Sequence, residues 1–348
     1  MSGIGEKAGS RAALENELRS RIRGKAKPIG SLGRLEDLAL QIGLVTGSLA
    51  PNLGLAKILV FAGDHGITAE GVTAYPSVVT REIAKFVLAG TAGINVLAQA
   101  AGTTVELIDA GMIEPLPPHD LLIERRVAAG TRNSLQEPAM TPDECTVALE
   151  AGRAIAARLN DEGVGIVGYG EIGIGNTSAA ALIAHILTGI DLAALVGPGA
   201  GAPARGLDHK RKILHDALDR APIATSDPHG RALEALRQFG GFEIAMMAGA
   251  MAASADTGRM VVVDGFISTV AALAAIALNS ATRDCCVFAH QSTEPGHKAV
   301  LAHLNAEPLL ALDMRLGEGT GAALAIPIVR AAELMLREMA DLPGEHPV

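Results

Sequence analysis

The chain is poor in rings and sulfur. Its 348 residues include no tryptophan, two tyrosines and six phenylalanines, so aromatics amount to 2%. Nucleic-acid binders combine basic tracks with aromatic stacking platforms. This chain has 29 basic against 38 acidic side chains, a net charge of −9, which excludes a general nucleic-acid binder. Its three cysteines, Cys145 and the adjacent Cys285 and Cys286, make no disulfide framework and point to a reducing compartment. No HExxH and no Cys/His ligand spacing occurs, so no metal site is expected. Long apolar runs are also scarce. The most apolar window, Phe266 to Leu278, is shorter than the roughly 17–25 residues that span a bilayer. The N-terminus, MSGIGEKAGSRAALENELRSRIRGKAK, is charged and has no signal-peptide core. The expectation is a cytoplasmic protein with neither membrane nor nucleic acid as partner.

What remains is aliphatic. Apolar residues make up 49% of the chain and glycines number 40. A disordered chain needs the opposite balance. The length fits roughly two domains. Small side chains suit close helix–strand layers, and the pattern agrees. Lys57-ILVFAGDHG, Thr104-VELIDAGM, Gly163-VGIVGYGEIG, Gly258-RMVVVDGF and Asp284-CCVFAHQS read as buried strands running into loops. Helical runs separate them: Ser77 to Gln99; a run capped by Thr141 with Pro142 at its first position; Thr177 to Gly189; and Ala322 to Met339, interrupted by Pro327. Apolar strands alternating with helices imply a mainly parallel sheet covered on both faces, with ligands at its carboxyl edge. A second, small helical domain is expected from the two chain ends, residues 1–38 and 321–348, around a large α/β domain of residues 39–320.

Several strand-end loops can carry chemistry. Gly168-YGEIGIGNTS follows a strand and opens a helix, where exposed amides favour an anion. Asn176, Thr177 and Ser178 can cap that helix or bond a phosphate. Gly168, Gly170 and Gly173 match the dinucleotide fingerprint in spacing, which motivates an NAD(P)-dependent oxidoreductase as an alternative. The acidic partner of that fingerprint belongs at the end of the next strand, whereas Asp191 lies two positions after the helix-ending Gly189 and reads as the start of a segment. A Walker loop is absent. The stretch Gly197-PGAGAPARGLDHKRKIL sets glycines before Arg205, Lys210, Arg211 and Lys212. Arg211 and Lys212 read as solvated; Lys210 reads equally as an anion ligand. Asp64 and His65 suit acid–base work or a loop brace. His290, Ser292, Glu294 and His297 crowd another loop, with no Gly-x-Ser-x-Gly elbow around Ser292. Glu318 stands between Gly317 and Gly319, exposed to solvent or to a ligand; in an apolar pocket it would become a general base.

Taken in order, Lys27-PIGSLGRLE, Phe61-AGDHGITAEGVTAYP, Gly130-TRN, Pro138-AMT, Gly170-EIGIGNTS, Gly240-GFEIAMMAGAM, Val263-DGFIST, the His290 loop and Leu316-GEGTGAA resemble the nicotinate-nucleotide:5,6-dimethylbenzimidazole phosphoribosyltransferase family. The resemblance implies a Rossmann-like fold and a homodimer. It implies transfer of phosphoribosyl from nicotinate mononucleotide to a benzimidazole, with inversion at the anomeric carbon. It makes Glu318 the general base. Glu171, Gly173, Gly175, Asn176, Thr177, Lys210 and Ser292 fall to the nucleotide site. Tyr75, Glu82, Ile172 and Leu316 fall to the azole pocket, with Arg81-Glu82-Ile83 in the stretch where the family is associated with a glutamine. One carboxylate suffices for the proton, so no cofactor is called for. A catalytically silent nucleotide-binding protein is the remaining alternative.

Overall fold

The computed structural model describes residues 3–199 and 204–343. Six strands form one wholly parallel sheet: β1 (Leu55–Gly63), β2 (Thr104–Gly111), β3 (Leu122–Glu124), β4 (Val164–Ile172), β5 (Met260–Val263) and β6 (Cys286–Phe288). Their spatial order is β3-β2-β1-β4-β5-β6. The order reverses between β1 and β4, and in open sheets of this kind a crevice opens outside the carboxyl ends of the strands at that point.

Alternation along each strand divides the core in two. Leu59, Phe61, Tyr169, Val261 and Phe288 face one layer of helices. Ile58, Val60, Ile166, Val262 and Val287 face the other. The first layer includes the helices Pro142–Asp161, Asn176–Thr188, Phe242–Ser254 and Phe266–Leu278. The second includes Arg34–Thr46, the helices after β1, and the C-terminal helix Thr320–Glu338. With both faces covered, the strands are continuous apolar runs.

Glycine substitutes for aromatic bulk in this packing. Helices Pro142–Asp161 and Phe242–Ser254 approach so closely that a Cβ on Gly152 would collide with the Met246 carbonyl. One on Gly249 would collide with the Leu149 carbonyl. The first of these helices starts as its sequence predicts. Thr141 accepts from the Glu144 amide at 3.1 Å, and Pro142 occupies the first turn.

Two local expectations need correction. The run from Ser77 to Gln99 is two helices, Val78–Leu88 and Gly93–Ala100. Together they form an apolar stretch, Val78–Ala100, long and apolar enough by composition to cross a membrane, with hydropathy 1.4. The break is made by Gly90, at φ 75, the left-handed residue that ends many helices. Asn95 then joins the halves: its Nδ2 donates to Val87 O and its Oδ1 accepts the Ala92 amide, each at 3.1 Å. The C-terminal helix, by contrast, runs through Pro327 without interruption. Pro327 is on its exposed side, where water can take the carbonyl that proline leaves unbonded.

Gly152→Ala is expected to destabilise the fold by about 1–3 kcal/mol, the usual range for overpacking. Urea unfolding monitored by circular dichroism measures this; an unchanged midpoint would show that the two helices are not in backbone contact.

Candidate active site

A cleft of about 270 Å³ opens at the carboxyl edge of the sheet. Its walls come from the ends of β4, β5 and β6 and from the segment before the C-terminal helix. They include Glu171, Ile172, Gly173, Asn176, Thr177, Ser292, Leu316 and Glu318. These are residues the sequence had marked, from loops spread between Glu171 and Glu318.

The β4 loop supplies the floor. Gly175, at φ 97, is the N-cap of the helix Asn176–Thr188, and a Cβ on it would press on Thr68 and His65. It positions the helix without itself lining the cleft. Helix amides and the dipole therefore face the cavity beside Thr177, the arrangement that accepts anions elsewhere. Lys210 approaches from behind. It is buried and donates to Thr177 Oγ1 at 2.9 Å and to Gly197 O at 3.1 Å. Burial drives its pKa down to about 8, with the Glu294 carboxylate opposing. An ammonium so weakly compensated gains from an anion placed next to it. Arg211 and Lys212 pair instead with Asp208 and Asp216 on the surface. Residues 200–203 of the glycine loop lie outside the described residues, as does the side chain of Arg205.

Carboxyl groups dominate the other side. Glu318 follows Gly317 and precedes Gly319, and all three have positive φ, at 82, 62 and 87°. Only a short loop tolerates this, and Glu318, lacking glycine's freedom, is strained there. The turn lifts its carboxyl into the cleft, where Oε2 accepts the Ile94 amide at 3.1 Å. Burial raises its pKa, the Ile94 amide opposes, and Asp264 adds to the rise. Glu171 is pushed further, to about 8, by burial first and then by the charges of Glu243 and Asp264; its hydrogen bond from Asn176 Nδ2 opposes. At neutral pH Glu171 is a protonated donor and Glu318 is the more acidic of the two. Pairs of carboxyls driven apart in this way mark acid and base roles.

The remaining marked residues divide. Ser292 is held by its neighbours: its amide donates to His297 Nδ1 at 2.9 Å. Burial drives the His297 pKa down to about 3, so the ring is neutral. With Nδ1 accepting, its Nε2–H donates to Thr269 Oγ1 at 2.9 Å. Asp64 and His65 act as a brace. Asp64 Oδ2 accepts the Ile113 amide at 2.8 Å, and His65 Nε2 meets Glu243 Oε1 at 2.6 Å, fully buried. Two azole-pocket assignments do not reach the cavity. Glu82 is exposed and bonded to Lys85 at 2.6 Å, and Tyr75 is 49% exposed away from the lining. One position along a helix rotates a side chain by about 100°, and the neighbour Ile83 lines the cleft instead. Asp191 caps the short helix Leu192–Leu195 through Ala193 N at 2.8 Å, so it is no ribose acceptor at a strand end.

Glu294, Arg315, Ile83 and Phe266 complete the lining, and Asp264 is buried beneath it against the Gly319 and Ala322 amides. The signal for Asp264 was its place directly after a strand; nothing in the sequence showed which loop it would meet. Among the described residues no group of three or more His, Cys, Asp or Glu is placed to hold a metal ion.

Comparison with known proteins identifies the family. A family model described as Phosphoribosyltransferase matches residues 8–344. The nicotinate-nucleotide–dimethylbenzimidazole phosphoribosyltransferase of Cupriavidus necator is 48% identical over 332 residues, covering 95% of this chain and 94% of the relative. The Pseudomonas aeruginosa protein of that name is 47% identical over 306 residues, covering 88% and 86%. The crystal structure of CobT from Thermus thermophilus superposes with a TM-score of 0.90 at 41% identity, covering 94% of this chain and 97% of that one.

Glu171→Gln tests the protonated carboxyl. A group raised from 4.5 to about 8 adds stability fully present below pH 4.5, lost as pH rises through the folded value. The variant is therefore expected to gain stability relative to the parent between pH 5 and about pH 9. Thermal melts across that range read it; a difference that does not vary with pH would remove Glu171 from the titrating groups.

Proposed function

The chain belongs to the phosphoribosyltransferase family whose model spans residues 8–344, and we propose that it moves phosphoribosyl from nicotinate mononucleotide to 5,6-dimethylbenzimidazole or a related azole. The products are α-ribazole 5′-phosphate and nicotinate, in the nucleotide-loop branch of cobalamin synthesis. The observation that carries the reading is Glu318, a buried carboxyl turned into the cleft by a left-handed loop opposite the helix N-terminus after Gly173.

The chemistry follows from that opposition. The nucleotide phosphate binds at the N-terminus of Asn176–Thr188, where Thr177 is supported by Lys210. This fixes the ribose with its anomeric carbon towards Glu318. The azole lies on apolar walls, Ile83, Ile172 and Leu316. Its lone-pair nitrogen attacks the anomeric carbon from the face opposite nicotinate. The carbon–pyridinium bond breaks, and its electron pair neutralises the ring nitrogen, so nicotinate leaves without a proton. The azole would otherwise become a cation; Glu318 takes the proton from its other nitrogen. Glu171, protonated, is a donor for substrate oxygen rather than a second base. Alignment of the two reactants supplies much of the rate.

The homodimer and the cytoplasmic setting belong to the same proposal; a sedimentation mass of one chain, 35.6 kDa, would refute the dimer. A small helical unit from residues 1–38 and 321–348 belongs to the proposal too, with residues 1–2 and 344–348 outside those described. Its support is the hydrogen bonding of the chain ends, with Ala26 N to Ala340 O and Leu342 N to Gly24 O, each at 2.8 Å.

Purified protein mixed with nicotinate mononucleotide and dimethylbenzimidazole is expected to release nicotinate and form the α anomer, as seen by chromatography and NMR. Release of none by folded protein would overturn the reading. Glu318→Gln is expected to lower kcat by about 10²–10⁴-fold while nucleotide affinity holds; near-normal turnover would remove Glu318 as the base.

A further inference from the structure

The C-terminal helix begins in an unusual way. Its N-cap residue, Gly319, has no side chain to bond the first-turn amides. A capping side chain normally comes from the residue just before the helix. Here it comes from Asp264, at the end of β5. Asp264 Oδ2 accepts the Gly319 amide at 3.2 Å, and Oδ1 accepts the Ala322 amide at 3.0 Å. Asp264 is 2% exposed, and His290 Nε2 lies 3.8 Å from Oδ1.

Gly319 is the residue after Glu318. The loop that carries the carboxyl therefore hangs from Asp264 on one side. On the other, the Glu318 amide donates to Glu171 O at 3.1 Å, and Thr320 Oγ1 donates to Gly317 O at 2.8 Å. Underneath, the loop rests on Gly170 of β4, where any Cβ would collide with Gly319 N and the Glu318 carbonyl. Three successive left-handed residues persist only where the surroundings over-determine them. Of the contacts named, only those from Asp264 tie this loop to β5.

We propose that Asp264 is a positioning residue for Glu318: its two backbone hydrogen bonds hold the 317–319 loop in the conformation that aims the Glu318 carboxyl into the cleft. The inference rests on the reading of Glu318 as the base. It assigns Asp264 no contact with substrate. It separates two tasks at this edge of the sheet, since the phosphate end is held by the β4 loop and Lys210, which Asp264 does not touch in the hydrogen bonds described.

Asp264→Asn is the informative change. One amide oxygen can still accept, but the NH2 group then faces the second backbone donor. Misplacement of a reacting group by an ångström costs on the order of 10²-fold. The expected result is a fall in kcat of about that size with KM for nicotinate mononucleotide unchanged. Faster hydrogen exchange is expected at the Gly319 and Ala322 amides but not at those of Asn176–Thr188. Asp264→Glu keeps both acceptor oxygens and is expected to recover part of kcat. Where the Asn variant does not fold, the Glu variant carries the test, with an expected loss in kcat and none in KM. Wild-type turnover in a folded Asn variant, or in the Glu variant when it stands alone, would overturn the proposal if Glu318→Gln is inactive. A loss in KM rather than kcat, or exchange that quickens throughout the fold, would overturn it too. A fully active Glu318→Gln enzyme would instead overturn the underlying reading of the base.

Discussion

The approach of the 317–319 loop to strand β4 is the constraint on which the site depends. Glu318 reaches the cleft because its backbone takes a left-handed turn, and that turn fits because Gly170 has no side chain. A Cβ on the strand would push the loop away and take the carboxyl with it. The strand is therefore apolar along most of its length and bare at the point where the loop rests. The strain of a non-glycine residue in this region, about 1–2 kcal/mol, is borne by hydrogen bonds from three separate segments.

Burial then sets the chemistry. Glu171, Glu318, Asp264 and Glu294 lie at one edge of one sheet and are shifted upward by loss of water. Neighbouring carboxylates add to the rise at Glu171 and Glu318. Glu171 retains its proton near neutrality, while Glu318 has a backbone amide to stabilise its charge. Lys210 shows the complementary effect, since burial weakens its ammonium and the Glu294 charge only partly opposes. One buried cation thus stands behind a helix terminus at the edge of an acidic protein.

Much of this architecture was legible before the fold. Strand runs such as Lys57-ILVFAGDHG are continuous because both faces are buried, and the Thr141-Pro142 start is local chemistry. The segments that end on Glu171, Ser292 and Glu318 could be named because chemistry collects where strands end. Errors arose where one residue decides. Gly90 splits a run whose apolar pattern is unbroken, and Pro327 fails to split one because it faces water. Glu82 and Ile83 exchange roles through a rotation that no spacing rule resolves in an isolated segment.

The sequence by itself determined the class of the fold, five of the six described strands (the three-residue β3 carries too short a pattern) and the list of loops able to hold an anion or a base. These depend on periodicity, composition and turn residues, which are properties of short stretches. Only the tertiary structure decided which loops meet. Asp264 under Glu318, Lys210 behind Thr177 and Glu243 against His65 are pairs separated by 33 to 178 positions. Their partnership follows from the lateral order of the strands and the close packing of the helices upon them, and neither is written in any one segment.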